Sequence, residues 1–189
     1  MSNMLETVRL TLRPFTAGDR PLVRAIAANP DTTRYLYYWG RPGMTVDQDT
    51  DRFLNYALKG WQQQPIRDRE YVLIKKEDGT VLGDGSIQFV DDETGEIGWI
   101  LLPEHRGHGY VTEMGQALLR FGFEELGFKR IIACCDIRNR ASHHVMQRLG
   151  MHTLRIDIGA RPKKTADDIA ADERVCCITF KQWKQLLRG

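Results

Sequence analysis

The residues with the most chemical promise lie in one short run, Arg106-Gly107-His108-Gly109-Tyr110-Val111. It stands between an apolar stretch, Ile100-Leu101-Leu102, and a long segment of helical periodicity. Glycine costs a helix about 1 kcal/mol against alanine, so two at a helix start imply that something approaches the backbone there. The first turn of a helix offers four N–H groups without intrahelical partners, at the positive end of the macrodipole. Glycines just ahead of it let the backbone wrap an anion, which predicts a phosphate or pyrophosphate site. The run lacks the Gly-Lys-Ser/Thr ending of a P-loop and the third glycine of a dinucleotide-binding turn.

Other reactive side chains are less committal. His105 and His108 flank Arg106, but no carboxylate or cysteine stands at metal-ligand spacing with them, and no metal site is expected. His143 and His144 are acid–base candidates by residue type. The four cysteines form two adjacent pairs, Cys134-Cys135 in IIACCDI and Cys176-Cys177 in RVCCITF. Neighbours on a strand point to opposite faces, and the spacer of a CxxC motif is missing. They read as buried thiols in a reducing compartment.

The elements that must position these residues follow from periodicity and punctuation. LETVRLTLRPF alternates as a strand, and Thr16 caps a helix carrying Leu22, Val23 and Ile26. YLYYWGRPG breaks at its glycines and proline. Thr45 and Gln48 have capping-box spacing before a helix with Phe53, Tyr56, Ala57 and Trp61 on one face. REYVLIKK, a turn at Asp78-Gly79 and TVLGDGSIQFV form a hairpin, and EIGWILL continues the meander. A helix from about Tyr110 to Leu126 follows the glycine run, with Gly127 ending it. KRIIACCDI is a strand, Asn139 and Ser142 open a helix closed by Gly150, and MHTLRIDIG and RVCCITF are the last strands. The order predicts one α/β domain over 1–189, a mixed sheet of about seven strands flanked by helices.

Composition sets the outer limits. The chain has 189 residues, a formal charge of +2 and 28% charged residues, the balance of an ordinary globule rather than a nucleic-acid binder. The basic cluster Arg161-Pro162-Lys163-Lys164 and the acidic turn Asp91-Asp92-Glu93 read as solvated loops. No apolar run reaches the roughly 18 residues of a membrane helix, and MSNMLETVRL lacks the apolar region of a signal peptide, so a cytoplasmic location is expected.

Taken together, the segments resemble the GNAT N-acetyltransferases, and within them the RimJ/RimL-type branch of ribosomal-protein N-terminal acetyltransferases. ETVRLTLRPFTAGD resembles that branch's opening, EIGWILLPEHRGHGYVTE its acetyl-CoA strand and loop, and DIRNRASHHVMQRLGM its Asn-x-x-Ser segment. The family loop pattern, Arg/Gln-x-x-Gly-x-Gly/Ala, falls on Arg106, Gly109 and Val111. Valine departs from the small residue of the pattern and is expected to pack while leaving its N–H available.

The resemblance implies acetyl-CoA as co-substrate, lying in a V-shaped splay between the EIGWILL and KRIIACCDI strands. Pantetheine would bond to the backbone of Ile100, Leu101 and Leu102, with Asn139 as a further contact or a helix cap. The pyrophosphate would rest on Gly107, His108, Gly109, Tyr110 and Val111, with Arg106 nearby. Glu96 is the implied general base and Ser142 the implied proton donor to the departing thiolate. Many relatives place a tyrosine on this helix, where this chain has His143 and His144. Tyr35, Tyr37, Tyr38 and Trp39, with the IDIGARPKKTADD segment, are candidates to build the acceptor groove. The acceptor is a primary amine, of a protein N-terminus or of a small molecule such as an antibiotic or polyamine, and the protein a monomer or homodimer. A different class stays open: an acyl-CoA-binding regulatory module without catalysis, which Val111 and the absent tyrosine would suit.

Overall fold

The computed structural model describes residues 3–36, 38–40, 43–161 and 170–188. Eight strands form one sheet in the order β1-β2-β3-β4-β5-β6-β8-β7: β1 (Leu5–Glu6), β2 (Leu10–Pro14), β3 (Asp68–Lys75), β4 (Val81–Phe89), β5 (Thr94–Leu101), β6 (Arg130–Asp136), β7 (His152–Arg161) and β8 (Ala171–Thr179). Of these pairings only β5–β6 is parallel, because a helix crosses between them. The helices are α1 (Arg20–Ala28), α2 (Pro30–Thr33), α3 (Val46–Gln62), α4 (Tyr110–Glu124), α5 (Arg140–Arg148) and α6 (Phe180–Leu186).

Eight strands replace the expected seven or so because the opening segment is broken. The Thr7 hydroxyl accepts from Leu10 N–H at 2.9 Å, and Thr7 N–H donates to Leu10 O, so the chain turns at Thr7–Arg9 and β1 doubles back on β2. A threonine that bonds nearby backbone offers the chain this alternative to a continuous strand. Two short helices were also not foreseen. Asn29 caps α2 and Pro30 opens it; Thr179 caps α6 in a capping box with Gln182.

Each face of the sheet carries its own core. Leu12, Leu73, Ile87, Ile97 and Ile131 pack with Met114 and Leu118 of α4 on one side. On the other, Val72 and Ile100 pack with Val23 and Ile26 of α1, Phe53 of α3 and Trp39. Trp39 is fully buried, its ring 5.1 Å from that of Phe53.

The feature that positions the site is a failure of pairing. β5 and β6 match only at Thr94↔Arg130, Gly95↔Ile131 and Glu96↔Ile132. Beyond Glu96 the two strands part, while β5 stays bonded to β4 as far as Leu101↔Gly83 and β6 to β8 as far as Asp136↔Glu173. The splay expected between these strands is therefore present, and it opens at the centre of the sheet.

Candidate active site

A cleft of about 330 Å³ fills the splay. Ile97 to Leu101 form one wall and Cys134 to Asp136 the other, with the start of α4 and the start of α5 closing the end. Buried strand backbone that has lost its neighbour needs another hydrogen-bonding partner, so the walls suit an extended ligand with amides of its own.

At the α4 end, Gly107 and Gly109 both take left-handed backbone, φ +83° and +78°. Any other residue would be strained there. Gly109 is the N-cap of α4 and offers no side chain to the first turn, so those N–H groups are left for a ligand. A Cβ on Gly107 would meet nothing within 4 Å, so the loop is open on its outer side. The arrangement is a cradle of backbone donors at the positive end of a 15-residue helix.

Arg9, 99 residues away in sequence, holds this loop from behind. Its guanidinium donates to His108 O at 3.0 Å and to Glu113 Oε2 at 2.6 Å, and lies 4.8 Å from the centre of the Tyr110 ring. Glu113, the acid in the first turn of α4, is thereby turned away from the cradle. No local signal marks Arg9; only the fold brings it to the loop.

Of the residues singled out in the sequence, Ile100, Leu101, Arg106, Gly107, Gly109, Tyr110, Val111, Asn139 and Ser142 line the cleft. Three residues differ. Both backbone groups of Leu102 are already engaged, its N–H with Leu82 O and its carbonyl with His105 N–H, and its side chain packs in the α1–α3 core. His108 is exposed, its ring stacked on Tyr110 outside the cleft. Glu96 is not on the cleft wall but one hydrogen bond behind it, through the Cys134 thiol. Arg106 reaches across instead of into the cradle, donating to Leu101 O at 3.3 Å, with Nη2 at 3.5 Å from Asp31 O and from Thr32 Oγ1 in α2. Val111 lines the cleft and packs on the α4-side core, as its bulk predicts.

At the α5 end the capping question resolves. Asn139 is the cap, its Oδ1 accepting from Ser142 N–H at 3.1 Å. Ser142 sits one turn in and lines the cleft beside Cys135. Capping therefore does not account for the Ser142 side chain. His143 accepts from Arg174 at 2.5 Å; burial and the Arg174 charge push its pKa down, so it stays neutral. His144 is exposed.

Burial raises the Glu96 carboxyl above the ordinary glutamate range; bonds from Cys134 and Gln88 oppose that, the Glu173 charge adds to it, and Arg161 opposes it. Burial and these carboxylates push the Cys134 thiol well up, and burial pushes Cys135 up to about 11. Both thiols are therefore protonated near neutrality and poor nucleophiles.

On the acceptor side, Tyr35 lines the cleft and its carbonyl accepts from Arg161 at 3.2 Å, while Arg161 also pairs with Glu173 at 2.6 Å. Trp39 is core, and Tyr37 lies outside the described residues, as does 162–169 with Lys163 and Lys164. Trp99 and the α2 residues Asp31 and Thr32 also line the cleft. Nothing in their local sequence marked them. Among the described residues no group of three or more His, Cys, Asp or Glu is placed to hold a metal ion, and no helix is long and apolar enough to cross a membrane.

A mixed sheet splayed at its centre, with a glycine cradle at one end and a half-buried carboxyl behind the other wall, is the frame of an acetyltransferase. Residues 9–152 match the acetyltransferase (GNAT) domain, and the chain belongs to that family. The uncharacterized N-acetyltransferase YnaD of Bacillus subtilis is 29% identical over 147 residues, covering 78% of this chain and 81% of YnaD. An acetyltransferase of the GNAT family from Bacillus anthracis superposes with a TM-score of 0.76 at 25% identity, covering 93% of this chain and 98% of that one. A spermidine N-acetyltransferase from Vibrio cholerae, solved with CoA and spermine, shares the fold at a TM-score of 0.75 and 17% identity, covering 93% and 98%.

Proposed function

We propose that the protein moves an acetyl group from acetyl-CoA to a primary amine by direct attack within a ternary complex. The observation that carries this reading is the loss of β5–β6 pairing immediately after Glu96↔Ile132, which sets a carboxyl at the apex of the splay. When bound, acetyl-CoA supplies the activated thioester carbonyl. The N–H groups from Gly107 to Val111 would take its pyrophosphate, and the β5 backbone that has parted from β6, at Ile100 and Leu101, its pantetheine. Asn139 spends its oxygen on the α5 cap and keeps its amide N–H₂ for the same ligand.

An amine near pH 7 is protonated, with a free-solution pKa of about 8 for an α-amine and about 10.4 for a lysine-type amine. Glu96 accepts that proton, directly or through water, which frees the amine lone pair before the N–C bond forms. Its raised pKa brings it closer to the amine it must deprotonate. Ser142 donates toward the sulfur as the C–S bond breaks. The protonated state of Cys134 and Cys135 favours direct attack over an acyl-cysteine route. A carboxyl held beside the cleft likewise favours an enzyme over a binding module. Four free cysteines fit a reducing, cytoplasmic setting. The RimJ/RimL resemblance keeps a protein N-terminal α-amine among the acceptors to be assayed.

Thiol release measured against a panel of N-terminal peptides, monoamines and diamines tests the reading. Initial rates that intersect when both substrates are varied are expected. Parallel lines, the mark of a covalent acyl-enzyme, or no release with any amine, would overturn it.

A further inference from the structure

The α3-facing side of β3, β4 and β5 carries acids where a core would be expected. Cross-strand register sets Asp68 beside Gln88 and Gln88 beside Glu96; the next row is Glu70, Ser86 and Gly98, and the next is Val72, Asp84 and Ile100. Residues opposed in this way share a face. Tyr56 of α3 closes the row from above, its hydroxyl donating to Gln88 Oε1 at 3.3 Å. Burial, and then the negative charges of Glu70, Asp68 and Glu96, raise its phenol pKa. Asp68, Ser86, Gln88 and Glu96 are half-buried and form an accessible rim. Glu70 and Asp84 form the blind end, 8% and 4% exposed.

These two acids differ from every other buried one in the described structure. Asp19 pairs with Arg13, Asp49 with Arg52 and Asp136 with Arg138. No lysine or arginine among the described residues forms an ion pair with Glu70 or Asp84, and Asp84 Oδ2 is buried without a hydrogen-bond partner. The Asp84 carboxyl accepts from the Ile100 N–H, but a carboxyl buried away from any counter-charge is costly unless it holds its proton. Such a group calls for an explanation beyond stability. The row runs up to the cleft wall: Gly98 lines the cleft, and a Cβ there would stand 2.8 Å from Ser86 Oγ, so a side chain at 98 would displace Ser86. From Gly98 to Glu70 is two strand spacings, about 10 Å.

We propose that this trough seats the second positive charge of a small di- or polyamine acceptor, with Glu70 and Asp84 at its blind end and the reacting amine at Glu96. The proposal rests on the reading of the splay as the site of transfer. An arriving ammonium takes the place of the proton that two neighbouring carboxyls otherwise share, so binding expels a proton from the pair.

The test is calorimetric titration with 1,4-diaminobutane and with butylamine, with and without CoA, on the parent, Glu70→Gln and Asp84→Asn proteins. The diamine is expected to bind at least tenfold tighter than butylamine, and each variant to lose most of that preference while binding butylamine as before. On the parent alone, repeating the diamine titration in two buffers of different ionisation enthalpy should show proton release that butylamine does not cause, which keeps the test decisive if a variant fails to fold. Equal affinity for the two amines, a preference untouched by both substitutions, or no proton release would overturn it, as would tighter binding of a peptide N-terminus lacking a basic side chain. The two readings separate cleanly. Failure of CoA binding or of acetyl transfer with the diamine preference intact defeats the transfer reading alone, and turnover without that preference defeats this one alone.

Discussion

Two sides of the site are built by opposite means. The α4 end is all backbone: two glycines, the first N–H groups of a helix, and an arginine that grips the loop from outside. The side facing α3 is all side chain, with acids from three adjacent strands, of which Glu70 and Asp84 are buried. Backbone donors bind an anion without placing any full charge in the interior. Recognition of a cation needs full negative charges, and burying them is costly. The first side therefore adds little strain to the fold, whereas the second keeps two carboxyls buried without a counter-charge.

This contrast gives a ranked set of expectations. The largest is at the cradle. Gly109→Asp forces a side chain onto left-handed backbone and sets a negative charge among donors meant for an anion. Acetyl-CoA affinity should fall at least a hundredfold while the circular-dichroism spectrum is kept; unchanged affinity would move the donor site elsewhere. Next comes Glu96→Gln, expected to lower kcat by about two orders of magnitude with acetyl-CoA binding intact. A rate within threefold of the parent would reduce Glu96 to a structural carboxyl.

A paired experiment at the start of α5 separates chemistry from capping. Asn139→Ala should cost about 1 kcal/mol of stability, a drop of about 2–4 °C in Tm. Ser142→Ala should leave Tm within a degree and slow turnover, since Ser142 lines the cleft. The reverse ranking in thermal melts and initial rates would exchange their roles.

The smallest effect is a pH dependence. Burial pushes the Asp84 carboxyl from 3.8 up to about 8. A folded pKa above the unfolded one contributes stability that is full below pH ~4 and is lost as pH rises toward ~8. Asp84→Asn removes that loss, so its Tm should exceed the parent's at pH 8 and the gap should shrink toward pH 4. Parallel Tm profiles would mean that the pair carries no such penalty.

The same contrast explains what could be read in advance. The cradle is contiguous, Arg106 to Val111, and its glycines, helix and preceding strand are all local signals; the splay entered through resemblance and is present in the register. Capping motifs were readable but unevenly used. Thr45-x-x-Gln48 announced α3, whereas the same spacing at Thr179 and Gln182 was absorbed into a strand, because RVCCITF runs apolar up to the cap. Thr7 hid the β1–β2 turn within an alternating stretch. Arg9, Trp99 and the α2 residues carry no pattern of their own. The acidic trough was invisible for a different reason. Glu70, Ser86 and Gly98 become neighbours only once three strands are placed in register. Periodicity finds a face of one strand, but it does not align that face with the next.

The most direct measurement is a thermal-melt titration of the parent and Gly109→Asp proteins with acetyl-CoA. A Tm that climbs with ligand concentration in the parent, and stays flat in the variant, is the predicted result, because a ligand that binds only the folded state stabilises it in proportion to the logarithm of its concentration. A flat parent curve at millimolar acetyl-CoA, or equal shifts in both proteins, would contradict a donor seated on the glycine cradle in the splay.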